Sequence, residues 1–147
     1  MDFEGAAPGF ARAMAALDRA AVAQADEAGL DRKLRELVRL RASQLNGCAY
    51  CVDMHAKDAR EAGDDNERID SVSVWREALF YSDAERAALE LSEAITLCSE
   101  GHVPEAVWEA AAVHYKPAAL AGLVVAVNAW NRIGASTRAF LAGSYKP

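Results

Sequence analysis

The sequence predicts an all-α domain, and three observations carry that expectation. Alanine, the best helix former, occurs 33 times, whereas valine, isoleucine and threonine together occur 16 times, so strand formers are scarce. The hydrophobic fraction of 52% beside 26% charged residues suits a packed core rather than a disordered chain. Apolar residues recur at three- and four-residue steps between glycine and proline breaks, the period of helices that bury one face. The 147 residues match one ordinary domain, taken as 1–147, with no internal repeat, low-complexity tract or linker.

The elements follow in order. Pro8-Gly9 precedes a stripe of Phe10, Met14 and Leu17 with Val22 beyond, which predicts a first helix within the first thirty residues. Asp31 is a candidate N-cap for a second helix carrying Leu34, Leu37, Val38, Arg41 and Leu45 and stopping at Asn46-Gly47. A third is expected from Cys48 to Ala62, with Gly63 as its stop, which sets two cysteines in a first turn. Residues 64–80 begin with Asp64-Asp65, read as a solvated loop, and continue into one or two short helices through Ile69, Val72, Val74, Trp75, Leu79 and Phe80. Ser82-Asp83-Ala84-Glu85 reads as a capping box opening a helix that runs through Leu89, Ile95 and Leu97 to Gly101. Pro104 and Pro117 each start a further helix, the last being apolar nearly all round from Ala118 to Trp130 and therefore buried on more than one side.

Charge and composition exclude several classes. Sixteen basic against 22 acidic residues give −6, leaving no basic surplus for nucleic acid or anionic lipid. The longest apolar run, Ala118 to Val127, is too short to cross a bilayer, and Asp2 and Glu4 argue against a secretory leader. A cytoplasmic protein is expected. Of three cysteines, two are three positions apart, a pattern of redox or metal chemistry rather than of a secreted disulfide framework.

The chemistry is expected at Glu36, Cys48, Cys51 and His55. On one helix, positions 48, 51 and 55 line one face, so two thiols and an imidazole converge. Side chains lean toward the helix N-terminus, which brings His55 back over the turn carrying Cys51. A helix start stabilises a thiolate, lowering a cysteine pKa from about 8.5 toward neutrality. Residues three apart on a helix have Cα atoms about 5 Å apart, within disulfide range, and so small a ring removes little chain entropy. Such a bridge cycles rather than staples. Glu36 lies on the preceding helix, which reverses at Asn46-Gly47, so a helical hairpin returns its carboxylate to orient His55.

This pattern resembles the carboxymuconolactone decarboxylase superfamily, in particular its AhpD-like alkylhydroperoxidase branch. Glu36, then Cys-x-x-Cys twelve residues later at Cys48 and Cys51, then His55 four further on, reproduce the spacing of that branch. Asn46-Gly47-Cys48, the run Asp53 to Arg60, and Asn128-Ala129-Trp130-Asn131-Arg132 resemble its short members, and the likeness spans about Leu30 to Arg132. The resemblance implies an all-helical subunit assembled as homotrimer or homohexamer, and an alkylhydroperoxidase-like, peroxiredoxin-type oxidoreductase that needs no cofactor. It implies Cys51 as the thiol that meets an organic hydroperoxide, Cys48 as the resolving thiol, and His55 with Glu36 as proton relay. A lipoyl or thioredoxin-like dithiol is the implied reductant. Where the branch carries a second histidine this chain has Tyr50, a poor base at neutral pH, so weak peroxide turnover is expected. Decarboxylation does not transfer, since the decarboxylase branch proper works on a lactone without this dithiol.

Each signal has a plainer alternative. The dithiol is also compatible with two small buried residues, or with zinc held by two thiolates, an imidazole and a carboxylate. Covalent haem is excluded because Val52, not histidine, follows Cys51. Cys98 inside its helix is expected to be ordinary packing or an exposed bystander, His102 after Gly101 and His114 to be structural, and Trp75, Trp108 and Trp130 to be core or interface. The second functional reading is a non-catalytic helical assembly protein whose dithiol senses oxidation or binds zinc.

Overall fold

The structure, a computed structural model, describes the backbone of residues 3–140 and the side chains of residues 5–131. Asp2 and the side chains of Glu4 and Arg132 lie outside the described residues. The described chain is helical, with no strand among the described residues. In order come α1 (Phe3–Ala6), α2 (Pro8–Glu27), α3 (Arg32–Leu45), α4 (Ala49–Glu61), α5 (Asn66–Ser71), a 3-10 turn (Val72–Val74), and α6 (Asp83–Thr96). A second 3-10 turn (Cys98–Glu100), α7 (Glu105–His114) and α8 (Pro117–Phe140) complete the order.

Helix α3 is the centre. Asp31 caps it as expected, its side chain accepting the Lys33 N–H at 2.9 Å. Residues 34–40 are all buried, because α4, α6 and α8 each pack against a different side of α3. Leu34, Leu37, Val38 and Leu40 join Leu89, Ile69, Val72, Trp75, Leu123 and Val127 in the main apolar cluster. A smaller cluster of Leu91, Ala111 and Leu120 seals α6, α7 and α8.

Helix α2 departs from the expected pattern. Phe10 and Leu17 are exposed, and Ala21 and Ala25 are the residues that turn inward. Small residues win here because α2 and α8 approach too closely for large ones. A Cβ added to Gly122 of α8 would stand 3.3 Å from the Ala25 Cα.

Three local expectations are also corrected. Helix α4 begins at Ala49 and not at Cys48, whose extended backbone makes it the N-cap. Helix α6 opens on the expected capping box of Ser82 and Glu85 but ends at Thr96, so Cys98 sits in an exposed 3-10 turn rather than inside a helix. Asp64 is buried, not solvated. It accepts from Arg68 Nε at 2.6 Å, and Arg68 also grips Glu85 and the Phe80 carbonyl, so that ion network ties α5 to the start of α6.

The turn between α3 and α4 is built by backbone geometry. Gly47 has φ +64°, a left-handed conformation that costs a residue with a Cβ about 1–2 kcal/mol. It lets the Gly47 N–H reach the Gln44 carbonyl and the Cys48 N–H reach the Ser43 carbonyl, both at 3.1 Å, the two bonds of a Schellman stop. Cys48 thus closes one helix and opens the next. Gly47→Ala is expected to lower stability by about 1 kcal/mol, read as a fall in urea midpoint without change of slope.

Candidate functional site

Cys48 and Cys51 are bonded to each other, with Cα atoms 5.3 Å apart, in the range a bridge requires. Cys48 is half-buried, whereas Cys51 is 0% exposed. The Cys51 N–H, one of the donors a helix start leaves without intrahelical partners, points at the Cys48 sulfur at 3.3 Å. The observed donor of the α4 start is thus directed at the Cys48 sulfur, while Cys51 occupies the first turn of the helix.

The hairpin joins Glu36 to His55. The two residues are nearly equidistant from the Asn46-Gly47 reversal, so the antiparallel return of α4 sets them side by side. His55 Nδ1 and Glu36 Oε2 are 2.9 Å apart, with His55 1% and Glu36 4% exposed. Burial opposes ionisation of Glu36. The hydrogen bond with His55 and the charges of His55, Arg39 and Arg35 outweigh it and hold the carboxyl below its usual value of 4.5. An ionised carboxylate only accepts, so the hydrogen of this bond is on Nδ1. Nε2 is buried and has no hydrogen-bond partner among the described residues. Cys51 and His55 are one turn apart on α4, and both are buried on its inner face.

Around this pair stands a shell that the sequence did not disclose. Arg35 Nε lies 3.3 Å and Arg39 Nη1 3.9 Å from Glu36 Oε1, and both arginines are buried. They are returned to α2 through an Arg35–Asp26 pair and an Arg39–Asp18 pair at 2.9 Å. Trp130, expected to be core or interface, packs edge-on against the His55 ring with centroids 4.3 Å apart. Its indole N–H donates to Ser43 Oγ at 3.0 Å, which donates to the Arg39 carbonyl at 2.8 Å. The only sequence signal for these residues was their proximity to Glu36 on α3 and the Asn-Ala-Trp-Asn string on α8.

Asp58 approaches the same histidine, its Oδ2 3.9 Å from His55 Nδ1. Glu36, His55 and Asp58 bring donor atoms within 4.8 Å of one another, but the positive charge opposite Glu36 is supplied by two arginines rather than left for a cation. With the sulfurs joined, neither is a thiolate donor. Surface clefts lie elsewhere among the described residues. One of about 280 Å³ is bordered by Arg76, Glu93 and His102, and an apolar one of about 540 Å³ by Trp108, Tyr115, Leu120 and Val124. No helix among the described residues is long and apolar enough to cross a membrane.

A helical hairpin with a cystine at its turn and a buried carboxylate–imidazole pair beside it defines an AhpD-like dithiol protein. Residues 8–94 match the carboxymuconolactone decarboxylase family model, and the chain belongs to that family. It is 44% identical over 110 residues to the uncharacterized protein YdfG of Bacillus subtilis, covering 73% of this chain and 75% of that one. Identity to the uncharacterized protein YnjA of Escherichia coli is 31% over 102 residues, 69% of this chain and 56% of the relative. A crystal structure from Agrobacterium tumefaciens superposes with a TM-score of 0.89 at 31% identity, covering 100% of this chain and 98% of that one. That protein is described as of unknown function, with a provisional assignment to antioxidant defence as AhpD.

The lowered Glu36 carboxyl sets a pH signature. Its folded value lies below its unfolded one, so the stability it contributes is present above about pH 4.5 and is lost as pH falls through the folded value. Glu36→Gln is expected to lose about 3 kcal/mol at neutral pH by removing the buried charge that Arg35 and Arg39 share, which leaves each with only its aspartate on α2. In urea titrations the gap between wild type and variant should narrow as pH drops below that value, and a constant gap would contradict the assignment.

Proposed function

We propose that the chain is a thiol-dependent peroxidase, or disulfide oxidoreductase, that reduces organic hydroperoxides through the Cys48–Cys51 pair. The observation that carries this reading is the cystine seated on the same helix face as the buried His55–Glu36 pair, with His55 Nε2 left open. In the reduced chain Nε2 takes the Cys51 proton, and Glu36 holds the resulting imidazolium in place. The thiolate attacks the peroxide, forming an S–O bond as the O–O bond breaks. The departing alkoxide takes the proton from His55 and leaves as the alcohol. Cys48 then attacks the sulfenic sulfur of Cys51, hydroxide leaves with the Cys48 proton as water, and the observed disulfide is the product.

Regeneration needs an external dithiol, for which a lipoyl or thioredoxin-like donor is the reading. Its thiolate meets Cys48, the more open of the two sulfurs, and releases Cys51 into the field of the helix start. The reading includes one domain over 1–147, a cytoplasmic setting where dithiols stay reduced, and assembly as homotrimer or homohexamer. Exposed Trp108 and Val113 beside the apolar cleft on α7 and α8 support assembly.

A second reading has one residue in its favour. Tyr50 stands where a further relay histidine is expected, and a sensor that forms its disulfide without turnover, or a zinc holder, has no need of that base. Elemental analysis with thiol titration before and after peroxide separates the readings. Stoichiometric zinc with unreactive thiols, or loss of two thiols per chain without turnover, favours the second.

Cys51→Ser is expected to abolish hydroperoxide consumption coupled to dithiothreitol, and equal rates in variant and wild type would remove the peroxidase reading. His55→Ala should slow turnover about a hundredfold at neutral pH while far-ultraviolet circular dichroism stays helical.

A further inference from the structure

Two carboxylates face one imidazole nitrogen. His55 Nδ1 meets Glu36 Oε2 at 2.9 Å and Asp58 Oδ2 at 3.9 Å, the second from three residues further along the same helix. The surroundings of the two acids differ. Glu36 is enclosed, and its other oxygen lies within 3.9 Å of both Arg35 and Arg39, whose positive charges weaken the field it exerts on the ring. The Asp58 side chain is 38% exposed, and its ion-pair contact among the described residues is His55.

We propose that Asp58 is a positioning residue for the dithiol: its carboxylate is the second negative charge that balances the imidazolium formed when Cys51 gives up its proton to His55. Asp58 keeps its own charge throughout and forms no bond to sulfur or peroxide. The inference rests on His55 being the base that deprotonates Cys51. A buried imidazolium is costly unless paired, and a partner already shared with two guanidinium groups compensates it incompletely. Asp58 supplies what is missing from the open side of the site.

The charges that face Asp58 are Glu36 and Arg32 from α3, and His55 and Glu61 from α4. Burial, the largest influence, and the charges of Glu36 and Glu61 raise its carboxyl above the usual 3.8, against the pull of His55 and Arg32. The sign follows. Asp58 carries its charge on the alkaline side of a raised value, so its support for the thiolate falls away as the solution becomes acid.

The test reads thiolate directly and not turnover. The fully reduced protein is alkylated with iodoacetamide across a pH series, and carbamidomethylation at Cys51 is followed by mass spectrometry. In Asp58→Asn the Cys51 rate at pH 7 is expected to fall about threefold and the profile to move about half a unit to higher pH. Asp58→Ser should shift the same way, and Asp58→Glu should recover most of the wild-type profile. A role confined to structure would lower the urea midpoint and leave the profile in place. If His55→Ala moves the profile while Asp58→Asn and Asp58→Ser coincide with wild type, the role of Asp58 is overturned and that of His55 stands. If His55→Ala also coincides with wild type, the base assignment falls and Asp58 falls with it.

Discussion

The hydrogen bond between Glu36 and His55 is the constraint on which the rest of the molecule is arranged. It joins residues 19 apart in sequence across the α3–α4 hairpin, with both side chains out of water. A carboxylate in that position is tolerated only with compensating charge close by. Arg35 and Arg39 provide it from the same helix, and being buried themselves they need Asp26 and Asp18 from α2. One interhelical bond thus dictates the burial of two arginines and the placement of a third helix.

The same bond divides the labour of the histidine ring. With Nδ1 committed to Glu36, the other nitrogen is buried without a hydrogen-bond partner among the described residues, and Cys51 is buried one turn away on the same helix. Trp130 bears on the ring from α8 and is fixed by Ser43, so the imidazole is held by a charge on one side and an aromatic edge on another. Its electrostatics and its packing enforce one orientation. The two cysteines differ in exposure: Cys51 is buried in the first turn of α4, and Cys48, at the junction of the two helices, is half-buried.

Much of this was legible in the sequence, for identifiable reasons. Helix class followed from alanine content, and the caps at Asp31 and Ser82 followed from side chains that reach only their own helix ends. The Cys48–Cys51 bridge and the Glu36–His55 pair were readable because each depends on short spacings or on one tight reversal. What escaped was set by long-range packing. Phe10 and Leu17 look like a buried stripe, yet the close approach of α2 and α8 at Gly122 selects alanines instead. Arg35 and Arg39 look like the wet face of an amphipathic helix, and only the convergence of neighbours on every side of α3 buries them. Asp64 likewise reads as loop until Arg68 is seen to fold back on it. The pairing of Trp130 with His55 spans 75 positions, and no local pattern encodes it.

That last separation has a bearing on biosynthesis. During translation the cysteines, Glu36 and His55 leave the ribosome well before α8 exists, so for that interval the nascent hairpin carries its thiols without the indole wall that orients the imidazole. The surroundings of the imidazole are completed last, when α8 docks, and a chain released early would bear the motif without the indole against its histidine.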